Sequence, residues 1–178
     1  MSWRIDCRKA AIVVVDVQEQ LTAAVTGAEA ILATIDRLLG MGKLFSLPVH
    51  LMELAPQRLG PVSSPLLQKV GDEGLRHTRD SLAAGAALPK GLPKFLLVAG
   101  METHAAVRQT TYDLRERGHA VYLLADAVGS RNAFDHQIAL DEMRQDRVVV
   151  TTLEAVAYEL GAEADGPILA ELLPPLSK

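Results

Sequence analysis

Apolar positions in this chain fall into short unbroken runs, separated by stretches whose apolar residues recur at helical spacing. Ala10–Val15 is uninterrupted and largely β-branched, and Phe95–Ala99 and Ala120–Ala125 are comparably apolar. Runs this short that do not alternate predict strands buried on both faces, as in parallel sheets. Leu47–Leu51, Leu75–Thr78 and Arg147–Thr151 are further predicted strands. Between them, Thr26–Lys43 sets Ile31, Ile35, Leu38 and Leu39 on one helix face, and Thr103–Arg117 does the same with Val107, Thr111 and Leu114 before Gly118 ends it. Asn132–Asp146 is helical with Phe134, Ile138 and Met143 as its apolar positions, and Leu153–Leu160 is a further helix. Thr26 with Glu29, and Thr151 with Glu154, have the spacing of a capping box. Residues 54–94 are broken by prolines and glycines, with short helices predicted at Ser64–Val70 and Ser81–Leu88; Ile168–Leu173 adds a last turn or two. Strands alternating with helices predict an α/β fold, a three-layer α/β/α sandwich around a parallel sheet, in one domain spanning residues 1–178.

Composition narrows the function. The chain has 178 residues, 49% hydrophobic and 22% charged, an ordinary globular balance. A formal charge of −4, with no block of lysine and arginine, argues against nucleic acid or an acidic membrane as partner. No apolar run approaches a membrane span. Met1–Asp6 has no basic region leading into an apolar one, so the expected location is cytoplasmic. The single cysteine, Cys7, excludes an internal disulfide and any multi-cysteine metal site.

The chemistry concentrates where strands end. A strand over Phe95–Ala99, a turn at Gly100, a helix and another strand form a βαβ unit, which sets Met101–Ala106 at the carboxyl edge of the sheet, where open α/β sheets bind ligands. Asp16 closes the first strand. A partly buried carboxylate there can take a proton from a thiol or a water, although strand-end aspartates also cap loops or form structural ion pairs.

Gly100, Thr103 and Val107, followed by Asp126-Ala127 and Ser130-Arg131, resemble the G-x-x-T-x-x-C-V and D-A-x-x-S-R signature of the isochorismatase-like cysteine hydrolases. P-x-x-L-G-P at Pro56–Pro61 and A-L-x-x-M-R at Ala139–Arg144 extend the likeness to nearly the whole chain, nearest the small metal-free members containing an isochorismatase domain. The resemblance implies strand order 3-2-1-4-5-6 and a D-x-Q element of Asp16, as general base, and Gln18. It also implies an oxyanion hole lined by the N–H groups of Glu102 and Ala106 beside Thr103, a cis peptide at Met101–Glu102, and assembly into dimers or larger.

Two positions depart from that pattern. Ala106 stands where the nucleophilic cysteine belongs, and a methyl group is neither nucleophile nor acid. The segment His77-Thr78-Arg79-Asp80-Ser81 matches the family's K-T-x-F-S, which puts His77 in the place of the lysine that pairs with the aspartate; Arg79 would restore a fixed charge if the loop rearranged. Cys7 precedes the first strand and belongs at the opposite sheet edge. Thr103 and Ser81 carry hydroxyls but no motif that supplies a base. His104 reads as packing beside the site, and His50, alone on an apolar strand, as core. The metal-binding residues of the nicotinamidase branch have no counterpart, so no metal and no cofactor are expected.

Two readings of function stay open. In one, the chain is a catalytically impaired or silent homologue kept for binding a small molecule or for assembly. In the other, it hydrolyses a small metabolite, an isochorismate-type vinyl ether or an amide, with Asp16 as general acid/base and no cysteine. A pure dimerisation module is a third, weaker reading. Leu153, Val156, Leu169, Leu172 and Leu173 exceed what one edge helix needs, which points to a homo-oligomer.

Overall fold

The structure is a computed structural model, and it describes residues 4–71, 74–82 and 85–163. Six parallel strands form one sheet: β1 (Ala10–Val15), β2 (Val49–Leu54), β3 (Leu75–Arg79), β4 (Phe95–Met101), β5 (Ala120–Gly129) and β6 (Val149–Thr151). Their order is β3-β2-β1-β4-β5-β6, as the resemblance implies. Connecting helices are α1 (Glu19–Ala24), α2 (Ala28–Leu44), α3 (Pro56–Leu59), α4 (Ser64–Val70), α5 (Arg108–Glu116), α6 (Ala133–Gln145) and α7 (Leu153–Leu160).

The alternation of β1 divides the core in two. Ile12 and Val14 pack with Ile35, Leu38 and Leu39 of α2 and with Leu153 and Val156 of α7. Ala11, Val13 and Val15 face the other way, toward Leu114 of α5 and Ala139, Leu140 and Met143 of α6. Helices therefore cover both faces, which explains strands that are apolar at every position rather than at every second one. All of β1 and β4 is buried.

Several boundaries differ from the sequence reading. β2 starts at Val49 because Pro48 has no N–H and serves the ladder only as an acceptor, for Ile12 N–H. β5 runs on to Gly129, beyond an irregularity in its pairing with β4 between Val98 and Gly100. Neither expected capping box forms. Gly27, in a left-handed conformation, precedes α2, and Thr152, not Thr151, caps α7 by accepting from Ala155 N–H. Between Ser81 and Leu88 the described residues hold only a 3-10 turn at Gly85–Ala87. Leu153 and Val156 lie in the chain's own core, so they cannot serve as an interface; Leu169, Leu172, Leu173 and the Ile168–Leu173 turn lie outside the described residues.

β1 and β4 approach closely at Gly100, where a Cβ would lie 2.1 Å from the carbonyl oxygen of Val15. Its φ of +147° adds a second reason for glycine. Backbone cannot swing aside as a side-chain tip can. Gly100→Ala is expected to cost about 3 kcal/mol in urea unfolding, near the upper end for an overpacked core position.

Candidate functional site

Asp16 lies one residue past β1, completely buried, with φ at +53°, and its N–H donates to the Met52 carbonyl. A left-handed conformation at a non-glycine residue costs on the order of 1 kcal/mol and persists only where its surroundings impose it. Here they do. Both carboxylate oxygens accept from one guanidinium: Arg79 Nη1 donates to Oδ1 at 2.7 Å and Nη2 to Oδ2 at 2.8 Å. The Arg79 side chain is itself 4% exposed. Burial pushes the Asp16 carboxyl above its ordinary value, while the two hydrogen bonds from Arg79 pull the other way and the charge of Glu53 adds to the rise.

The cationic partner of Asp16 is thus Arg79 rather than His77. Residue parity explains the exchange: His77 and Arg79 share one face of β3, but His77 pairs in register with Met52, inside the strand, and Arg79 with Leu54 at its tip. His77 Nε2 instead lies 2.9 Å from Nδ1 of the buried His50, with the two rings stacked. The opposite face of β3 carries Arg76 and Thr78, which donate to the buried Glu53 at 2.7 and 3.4 Å. Glu53 also accepts from Val62 N–H at 3.0 Å and so ties down the end of the segment after β2. Gln18 does the same from the other side: its amide donates to the carbonyls of Leu54 and Gly60 and accepts from Leu54 N–H. In this structure Gln18 holds the loop beside Asp16.

At the end of β4 the peptide at Met101–Glu102 is trans, since the described residues contain no cis peptide; the cis bond implied by the resemblance is not present. The chain turns through Glu102 in a left-handed conformation, φ +60° and ψ +66°. A single π-helical turn, Thr103–Val107, then leads into α5, with Val107 N–H donating to the Glu102 carbonyl. Such turns occur often at functional sites. Ala106 is buried in the same cluster as Val13, Val15 and Met52. Its carbonyl accepts from Thr110 Oγ1.

The polar side chains of this turn face the end of β5 and α6. Glu102 accepts from Arg131 N–H, Nε and Nη2 at 3.0–3.2 Å. His104 Nδ1 lies 3.0 Å from Ser130 Oγ. Thr103 Oγ1, fully buried, lies 2.9 Å from His136 Nδ1. Asp126 is elsewhere, receiving Leu153 N–H at the start of α7. The sequence reading passed over the His136–Thr103 and Glu53–Arg76 contacts, since neither has a local motif. The signal for Arg79 was its fixed charge two residues beyond His77, on the same strand face.

Among the described residues no three of His, Cys, Asp and Glu converge as a metal site would require, and no helix is long and apolar enough to cross a membrane.

Residues 10–155, which span every strand and both arms of this site, match the model of the Isochorismatase domain. The chain belongs to the isochorismatase family. Isochorismatase domain-containing protein 2 of Danio rerio is 30% identical over 176 residues, covering 95% of this chain and 87% of that protein. Its human counterpart is 31% identical over 163 residues, covering 88% and 78%. Among solved structures, the MAR1 ribonuclease of Caenorhabditis elegans superposes with a TM-score of 0.88 at 29% identity, covering 98% of this chain and 99% of that one. The YcaC gene product of Escherichia coli, described as an octameric hydrolase of unknown specificity, superposes with a TM-score of 0.86 at 26% identity, covering 97% and 90%. For an isochorismatase-family chain, Asp16 and the turn through Ala106 stand at the switch point where β1 and β4 part.

The His50–His77 pair has a measurable consequence. Burial, with the neighbouring ring's charge added, lowers His50 from 6.5 to about 4. A histidine held neutral in the fold stabilises it above pH 6.5, and that stability is lost as pH falls through the folded value. His50 should therefore contribute about 2 kcal/mol of the stability lost in urea unfolding between pH 7 and pH 5, beside the losses from His77 and His136, which burial also lowers, and His50→Gln should make the slope shallower by about that amount. Equal slopes in the two proteins would assign the acid sensitivity to other groups.

Proposed function

We propose that this isochorismatase-family chain is silent in thiol-based amide hydrolysis and is retained for binding a small molecule and for assembling with copies of itself. The observation that carries this reading is Ala106, a buried methyl at the position the resemblance gives to the nucleophile. A covalent thioester route needs a sulfur there, and the single cysteine of the chain, Cys7, precedes β1 at the far edge of the sheet. The grip of Arg79 on both oxygens of Asp16 supports the same reading, because each oxygen already accepts a hydrogen bond inside the fold. On this reading Glu102, Thr103 and Gln18 shape the rim of the site, and neither metal nor cofactor takes part. The cytoplasmic location and the single-domain organisation belong to the same proposal. So does self-assembly, in keeping with the octamer described for the Escherichia coli relative. The ribonuclease activity named for the Caenorhabditis elegans relative is not carried over, since a formal charge of −4 opposes a polyanion.

One observation favours the rival reading, an active hydrolase using Asp16 as general acid/base on a vinyl ether or amide: burial pushes that carboxyl upward, toward a pKa useful for proton donation. Turnover assays separate the two. The native protein is expected to hydrolyse neither nicotinamide nor isochorismate. Ala106→Cys should introduce a thiol at the same sheet edge as the Asp16–Arg79 ion pair. Its alkylation by iodoacetamide should slow roughly fivefold when Arg79→Gln is added and change little with His77→Lys. Enzyme-like turnover by the native protein, abolished by Asp16→Asn, would replace this proposal with its rival.

A further inference from the structure

A hydroxyl, an imidazole and a carboxylate meet at the carboxyl edge of the sheet without involving Ala106. β4 and β5 pair as far as Met101 and Gly129, so the next residues, Glu102 and Ser130, leave the sheet side by side. His104, in the π-helical turn, touches both: its Nδ1 lies 3.0 Å from Ser130 Oγ and its Nε2 lies 3.8 Å from Glu102 Oε2. Neighbours fix each member. Gly129 packs so tightly on α2 that a Cβ there would lie 2.3 Å from Ile31 Cδ1. Arg131 holds the Glu102 carboxylate through its N–H, Nε and Nη2. Three residues past Ser130 the helix α6 begins, and Asn132 Oδ1 accepts the N–H of Phe134 there. The remaining first-turn N–H groups of a helix have no carbonyl to reach and leave partial positive charge at that end.

We propose that Ser130, His104 and Glu102 form a serine-based site that hydrolyses short-chain esters. This goes beyond the reading above and does not rest on it, since no thiol takes part. Ser130 Oγ attacks the ester carbonyl while its proton passes to Nδ1 of His104. Collapse of the tetrahedral intermediate breaks the ester C–O bond, and the proton on Nδ1 leaves with the alcohol. Water then attacks the acyl-serine and gives a proton to Nδ1. The acid departs, and that proton returns to Ser130 Oγ. Nε2 keeps its hydrogen toward Glu102, which is a positioning residue; at 3.8 Å its carboxylate steadies the imidazolium by charge rather than by a hydrogen bond. The start of α6 offers its positive end to the oxyanion. Exposure sets the substrate class. Ser130 is 4% exposed and the His104 side chain 31%, so the acyl group must be small while the alcohol leaves from the solvent side. A second hydroxyl–imidazole pair, Thr103 with His136, lacks these features. Thr103 has no exposed surface, and among the described residues no carboxylate pairs with His136.

Treatment of the native chain with a short-chain alkyl fluorophosphonate, followed by intact mass and peptide mapping, is expected to show a single adduct, on Ser130. Ser130→Ala should abolish it, and Ser46→Ala, at an exposed turn, should leave it intact. His104→Gln should slow labelling on the order of a hundredfold with the far-ultraviolet spectrum unchanged, which keeps the test free of any folding defect at Ser130. Saturable hydrolysis of p-nitrophenyl acetate should be lost in the same two site variants. Glu102→Gln should move the midpoint of the pH–rate profile of labelling downward, because a carboxylate beside an imidazole favours its charged form. No adduct, an adduct mapped elsewhere, or a rate that His104→Gln leaves unchanged would overturn the proposal. An unmoved midpoint would overturn the part assigned to Glu102. Turnover of nicotinamide or isochorismate is read in a separate assay and bears on the earlier reading alone.

Discussion

A carboxylate with no exposed surface can stand at the end of β1 only because a buried guanidinium meets both of its oxygens. Taking either charge out of water alone would cost several kcal/mol, and their attraction offsets that cost only at close, well-aligned geometry. The constraint reaches across the sheet. Arg79 belongs to the edge strand β3, which has little apolar packing of its own: Leu75 is exposed and only Arg79 is buried along it. The strand is held instead by polar contacts on both faces, to Asp16 and His50 on one and to Glu53 on the other. Without Arg79, Asp16 would be an uncompensated charge and the tip of β3 would lose its anchor.

The same pair bears on chemistry. Asp16 and Glu102 follow adjacent central strands, both in left-handed conformations, and both have their carboxylates occupied by arginine. Each arm of the switch point is therefore occupied by an ion pair, and Ala106 is buried in the apolar cluster with Val13, Val15 and Met52.

Much of this was legible in the sequence. The central strands β1, β4 and β5 were plain because complete burial leaves only apolar residues, and α5 because it has a single apolar face; in α6, of the expected apolar positions only Met143 is buried, with Ala139 and Leu140, while Phe134 and Ile138 turn outward. What escaped was set by neighbours rather than by local pattern. The Pro48 backbone delayed β2, Gly27 and Thr152 took the capping places assigned to Thr26 and Thr151, and the helix expected at Ser81–Leu88 shrank to one turn among its described residues. At the site, Asp16 was marked by its place at a strand end. Its partner Arg79 was named only as a fallback for a rearranged loop, because matching a linear motif placed the cation at His77, while the register of β3 on β2 decides which side chain reaches the tip. Leu153 and Val156 misled for the opposite reason: apolar residues near an edge looked surplus until the fold showed them filling the core.

The central claim is that Asp16 and Arg79 form one closed, buried unit. A double-mutant cycle with Asp16→Asn, Arg79→Met and the combination, each unfolded in urea at pH 7, measures it directly. The account predicts a coupling free energy on the order of 3 kcal/mol, with the double variant more stable than Arg79→Met alone. Additive effects, with coupling below about 0.5 kcal/mol, would contradict it.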